Sequence, residues 1–264
     1  MSTAEKKIVG LLLLLLLMPA CTERRQLRLL REAEEKSDQG RYGEAVDKLK
    51  LLVSLNPESE SAIKAIFRLG FTLETYLKDY EGALVNYQEF IRVGRDKVSV
   101  YEVQKRIATI YFEHYRDPDK SIAAYKRLLA SSPESLEADL FQFRIARAFF
   151  QQNNFENARQ EYQELLEKFP RSQFAARARY EIGNCYYMDN KYDTAIEALK
   201  QVLRLHPQSQ YATEAEFLMA QCYEQLEKLQ NAFQIYENLM GRYSSPGIVE
   251  ARVSALKRRL NVKP

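Results

Sequence analysis

A small residue recurs along this chain at a nearly constant interval: Ala45, Ala83, Ser121, Ala158, Ala195 and Ala232, in steps of 38, 38, 37, 37 and 37. Four residues after each stand Leu49, Tyr87, Tyr125, Tyr162, Leu199 and Tyr236. A second small series precedes the first: Ala33, Gly70, Ala108, Ala146, Gly183 and Ala220. Three residues beyond these come Leu73, Tyr111, Phe149, Tyr186 and Tyr223, with Lys36 as the exception in the first unit. Small residues let two helices approach, and large ones fill the space around the contact. Six such units in register predict an all-α solenoid, in which each helix pair buries its apolar face on its neighbours.

The units fall at about 26–58, 60–95, 98–133, 136–170, 173–207 and 210–243, and the second and third carry one extra residue between their helices. Between units a Pro-x-Ser-x-x-Ala motif recurs as Pro57-Ser59-Ala62, Pro133-Ser135-Ala138, Pro170-Ser172-Ala175 and Pro207-Ser209-Ala212. Proline cannot continue the preceding helix, and serine is a good N-cap for the next. The junction Val93–Ser99 lacks the motif and reads as the weakest seam. Glu32 and Lys36 give the first unit the polar face of an end cap. A last helix, 246–262, places Val249, Val253, Leu256 and Leu260 on one stripe that would cover the sixth unit.

Lys6 and Lys7 precede an apolar run from Ile8 to Met18, followed by Pro19-Ala20-Cys21. A basic start, a short apolar stretch and a small residue before the cut describe a secretory signal over 1–20, too short to span a bilayer. Cys21 stands where a lipoprotein signal places its lipidated cysteine, with 21–25 as a tether; an ordinary cut with Cys21 incidental is the alternative. Arg24, Arg25, Arg28 and Arg31 interleave with Glu23, Glu32, Glu34 and Glu35 and read as a solvated helix start rather than a contact to anionic head groups.

The stretch from Ala176 to Ser209, with Gly183, Tyr186, Tyr192, Ala195, Leu199 and Pro207 in place, resembles the tetratricopeptide repeat, although Arg179 stands where an aromatic is usual. The period exceeds the usual length of about 34 residues. With the Pro-x-Ser spacing it is similar to the repeat lipoproteins of the bacterial envelope: the outer-membrane β-barrel assembly (BamD-like) family and the Tol-Pal-associated cell-division coordinators. The resemblance covers about 25–262 and implies a right-handed superhelix whose first helices line a groove. On that phase the groove positions are Phe67, Phe71, Phe112, Phe143, Arg147, Phe150, Arg177, Tyr180, Asn184, Tyr187, Phe217 and Gln221. Aromatic anchors beside Arg and amide groups suit an extended or helical peptide, and packing between repeats is the competing role for each.

No phosphate loop, HExxH or CxxC occurs, and His114 and His206 lie in different units, with His206 read as a solvated turn residue. Acidic residues read as solvated outer faces. The sequence therefore predicts no catalytic site, metal or cofactor. A net charge of +3 gives no argument for nucleic acid. Cys185 and Cys222 hold the same position of adjacent units; neighbouring helices about 8–10 Å apart lie beyond disulfide reach, which predicts two free buried thiols. Together these readings imply a lipid-anchored scaffold on the periplasmic face of the outer membrane that binds other envelope proteins or peptides. A coordinator of peptidoglycan synthesis and Tol-Pal, or a pilus or secretin assembly lipoprotein, is the nearest alternative. A lipid or glycan carrier is the alternative of a different class.

Overall fold

A computed structural model describes residues 22–261. The expected signal segment 1–20, Cys21 and residues 262–264 lie outside the described residues. Within residues 22–261 the regular secondary structure is all helical, in thirteen helices. They are α1 (22–38), α2 (Tyr42–Leu55), α3 (Glu60–Thr72), α4 (Tyr80–Val93), α5 (Lys97–Thr109), α6 (Pro118–Ser131) and α7 (Ala138–Gln151). There follow α8 (Phe155–Lys168), α9 (Ala175–Met188), α10 (Tyr192–Leu205), α11 (Gln210–Gln225), α12 (Leu229–Leu239) and α13 (Pro246–Asn261). No helix among the described residues is long and apolar enough to cross a membrane.

The chain divides into two compact units between His114 and Tyr115. The expected weak seam at 93–99 therefore lies inside the first unit. Within each unit, successive helices pack as neighbours: α2 on α3 and α3 on α4 in the first, and an unbroken series from α6 to α13 in the second. Ala45, Ala83, Ser121, Ala158, Ala195 and Ala232 are all fully buried. The two glycines of the other series show why the contact demands small residues. A Cβ on Gly70 would meet the Tyr87 ring at 2.5 Å, and one on Gly183 would meet Leu199 Cδ2 at 2.6 Å.

The turns inside the helix pairs share one backbone state. Gly40, Lys78, Arg116, Asn153, Asn190 and Glu227 all have positive φ, between 50° and 72°, and each stands five residues before the small residue of its second helix. Glycine and asparagine accept this left-handed state readily; Lys78, Arg116 and Glu227 hold it at a cost of about 1–2 kcal/mol each. The extra residue of the second and third units does not lengthen these turns. It is absorbed as a wider helical turn at the end of the first helix, over Leu73–Leu77 and Ile110–Tyr115, where i→i+5 bonding takes in one more residue.

The linker serines act differently from expectation. Ser59 caps α3, its hydroxyl accepting from the Ala62 N–H at 3.1 Å. Ser135 and Ser172 instead accept from N–H groups two residues on, those of Glu137 and Phe174, at 3.3 and 3.0 Å. Ser209 donates to the His206 carbonyl and caps nothing. These three serines close a turn before the helix, because the helix behind them begins late or without a side-chain cap. At α4, α5, α6 and α8 the caps are Asp79, Asp96, Asp117 and Asn154.

The polar face of the first pair is closed by ion pairs: Lys48 to Glu32 at 2.7 Å and Lys36 to Glu44 at 3.1 Å. Gln26, also buried, donates to the carbonyls of Leu52 and Asn56 and so ties α1 to the end of α2. At the other end α13 packs on α12, with Val249, Val253 and Leu256 buried and Leu260 half-buried.

Candidate peptide-binding surface

The expected groove residues separate by their place on the first helices. Phe143, Tyr180 and Phe217 each stand three residues before the small contact of α7, α9 and α11. Each meets a ring from the segment after its own helix pair. Phe174 stacks on Phe143 at 5.0 Å, Tyr211 lies against Tyr180 at 5.8 Å, and Tyr243 stacks on Phe217 at 4.6 Å. Phe143 also abuts Tyr162, and the Arg177 guanidinium lies over its ring at 5.0 Å. It is only 3% exposed, and Phe112, in the widened turn of α5, is 7% exposed. These two are core residues, so their rings offer a partner almost no surface.

Phe150 and Tyr187 stand four residues after the small contact and remain half-buried. Each meets the ring that opens the second helix of its own pair: Phe155 at 5.2 Å and Tyr192 at 5.6 Å, both edge to face. One face of each ring is thus braced on the fold. Arg147 on α7, Arg177 and Asn184 on α9, and Gln221 on α11 are also half-buried. Asn184 Nδ2 donates to Glu181 Oε2 at 3.1 Å, and Arg177 approaches the other oxygen of Glu181 at 3.6 Å. In the first unit Phe67 and Phe71 are half-buried; Phe67 leans on Phe90, and the Arg106 guanidinium lies 4.9 Å from the Phe71 ring.

The carboxylates are not confined to outer faces. Glu74 is only 15% exposed at its side chain; it accepts from the Tyr87 hydroxyl at 2.5 Å and from Arg106 at 2.9 Å. Glu224 repeats the arrangement with the Tyr236 hydroxyl at 2.7 Å and Arg252 at 3.4 Å. Burial, and then the adjoining carboxylate, push both phenols well above the ordinary tyrosine range. A buried tyrosine hydroxyl needs an acceptor. The sequence signal is a glutamate four residues past the small contact, opposite a tyrosine four past the next one.

His206 is half-buried, and Arg179 Nε donates to its Nε2 at 3.3 Å. It is a structural acceptor, not a solvated turn residue. Burial, and then Arg179, hold its pKa below the usual 6.5. The arginine that replaces the usual aromatic thus has a partner in the following linker. His114 stacks on Tyr80 at 3.9 Å. Cys185 and Cys222 are fully buried free thiols, which burial pushes up to about 12. No cluster of three or more His, Cys, Asp or Glu side chains placed to hold a metal ion occurs among the described residues.

A tetratricopeptide-repeat family profile matches residues 106–172, 143–210 and 190–244. No curated protein matches the sequence. Among solved structures, the chain is similar to a tetratricopeptide repeat protein from Parabacteroides merdae, at 18% identity and a TM-score of 0.55 over 90% of this chain and 88% of that one. It is similar to PilW, a type IV pilus biogenesis factor, at 16% identity and a TM-score of 0.52 over 88% and 98%. It also resembles a chain of the Naa15/Naa10 complex bound to HypK, at 14% identity and a TM-score of 0.65 over 90% of this chain and 34% of that one. At these identities the likeness is one of fold, and together with the profile it shows that the chain belongs to the tetratricopeptide-repeat family.

Proposed function

We propose that this protein is a non-catalytic scaffold, lipid-anchored through Cys21 on the periplasmic face of the outer membrane, that holds other envelope proteins during assembly. The observation that carries the binding role is the braced, half-buried pair Phe150 and Tyr187, with Arg147, Arg177 and Asn184 on the same helices and Gln221 on α11. Rings fixed on one side lose little freedom when a partner covers the other, and the polar groups set its register. The anchor and compartment are supported by the apolar run Ile8–Met18 ending three residues before Cys21. The Naa15/Naa10 structure, described as bound to HypK, is consistent with protein partners for this fold.

The test is capture from detergent-solubilised envelopes by the wild type and by Phe150→Ser/Tyr187→Ser, each checked for helix content on heating. The scaffold reading expects lost capture with an unchanged melting transition. Equal capture by both chains overturns the assignment to these rings. Similarity to PilW over nearly its whole length favours a pilus-assembly role as the second reading.

A further inference from the structure

In the second compact unit every ring three residues before a small contact is covered from the segment that follows its helix pair: Phe143 by Phe174, Tyr180 by Tyr211 at the start of α11, Phe217 by Tyr243. Phe174 and Tyr211 each stand nine residues before the small residue of the following first helix, Gly183 and Ala220. In the first compact unit Phe67 holds the same place, three residues before Gly70, and its ring neighbours come from its own helix pair, Phe71 at 6.4 Å and Phe90 at 5.5 Å. Nine residues before Ala108, where the covering ring belongs, stands Ser99. Its hydroxyl is turned to Asp96 Oδ2, 2.5 Å away, and cannot cover a ring. Val98 beside it is 71% exposed and does not fill the place either.

What remains is a cleft of about 560 Å³, with Ile63, Phe67 and Phe90 as apolar walls and Ser99 at its side. It opens where the linker lacks the Pro-x-Ser motif. Of its rim charges, Lys64 pairs with Glu60 and Arg68 with Glu34, and Asp96 caps α5. Arg95 also acts on Glu60, and Glu58 on Arg92, so the rim carries charges of both signs.

We propose that this cleft seats an aromatic side chain of a partner peptide, which completes between two molecules the ring pair that later repeats complete within one. The occupant's chemistry is read from the chain itself, because three equivalent places are each filled by Phe or Tyr. The proposal rests on the scaffold reading and adds a second point of attachment to it, in the other unit.

The test uses the full chain and peptides selected on it from a random library displayed on phage. Selected peptides should share an aromatic residue, and changing it to Ala should weaken binding roughly tenfold or more. Because the chain contains no Trp, a Trp-bearing peptide reports its own burial by a blue-shifted emission. Ser99→Phe should fill the seat from within: binding is lost while the thermal midpoint holds or rises. Phe67→Leu, which keeps an apolar side chain but removes the ring, should lose binding as well. Peptides without a shared aromatic, or equal binding by wild type, Ser99→Phe and Phe67→Leu, overturn the proposal. If binding is lost only in Phe150→Ser/Tyr187→Ser, the scaffold reading stands and the seat does not.

Discussion

Gly183 faces Leu199 so closely that a Cβ on the glycine would lie 2.6 Å from both Cγ and Cδ2 of the leucine. That contact sets the distance between α9 and α10. Gly183→Leu should overpack it and lower stability by about 1–3 kcal/mol. Glu197→Ala, on the exposed face of α10, should change stability by less than about 0.5 kcal/mol. Urea melts of the two variants against wild type check the register; equal midpoints would remove it.

Lys78 has a φ of 55°, the left-handed state that Gly40 supplies in the first pair. Lys78→Gly should relieve about 1–2 kcal/mol of strain. The freer unfolded chain offsets about 0.5–1 kcal/mol of that, leaving a net gain of about 0–1.5 kcal/mol. Lys50→Gly, at an exposed position inside α2, should lose about 1 kcal/mol instead. Thermal melts of both variants decide whether the turn geometry or the general cost of glycine dominates.

The helix-pair register was legible because contact distance leaves so little choice: only Gly avoids a clash where Tyr87 and Leu199 press in, and nothing larger than Ala stands at the corresponding places of the other first helices. The spacing also revealed the extra residue of the second and third units. It could not reveal where that residue goes, because a longer turn and a widened helix end have the same length in sequence. The site was less legible. Periodicity gives Phe143 and Phe150 the same helix face, yet Phe143 is covered by Phe174 and Phe150 is only braced by Phe155. That difference depends on a linker residue thirty-one positions away, outside any local pattern. Glu74 and Glu224 looked like solvated acids until the hydroxyls of Tyr87 and Tyr236 were placed against them.

His206 gives the fold a pH dependence. Burial and Arg179 keep its folded pKa below the 6.5 of the free side chain. Below that value the unfolded chain takes up a proton that the folded chain refuses, so stability falls as pH drops through 6.5. The loss levels off once the folded imidazole also protonates and can no longer accept from Arg179 Nε. Asn56 stands before Pro57 as His206 stands before Pro207. Urea midpoints between about pH 7.5 and 5.5 should therefore decline for wild type and flatten for His206→Asn, above the range in which carboxylates titrate. Parallel curves would mean that the Arg179 contact carries no linkage.

The proposed anchor at Cys21 would decide the compartment, and with it the kind of partner the proposed scaffold can meet. Cys21→Ser should prevent acylation, because only a thiol takes the diacylglycerol. A single acyl chain holds a protein marginally, and stable anchoring needs a second signal. A fully processed lipoprotein carries three chains, so the wild type should stay with membranes through high-salt washing. Attachment through Arg24, Arg25, Arg28 and Arg31 alone should weaken as salt shortens the screening length. Arg28 is the one of these four with an ion-pair partner among the described residues, Glu32 at 3.7 Å, so exposed charge is available for such a contact. Two results therefore have to agree. The N-terminal peptide of the wild type should carry acyl mass, and Cys21→Ser should either leave the membrane fraction or retain its unprocessed signal. Wild-type protein that washes off in salt, or an N-terminal peptide without acyl mass, would make this a soluble secreted scaffold and leave the envelope-assembly role without its anchor.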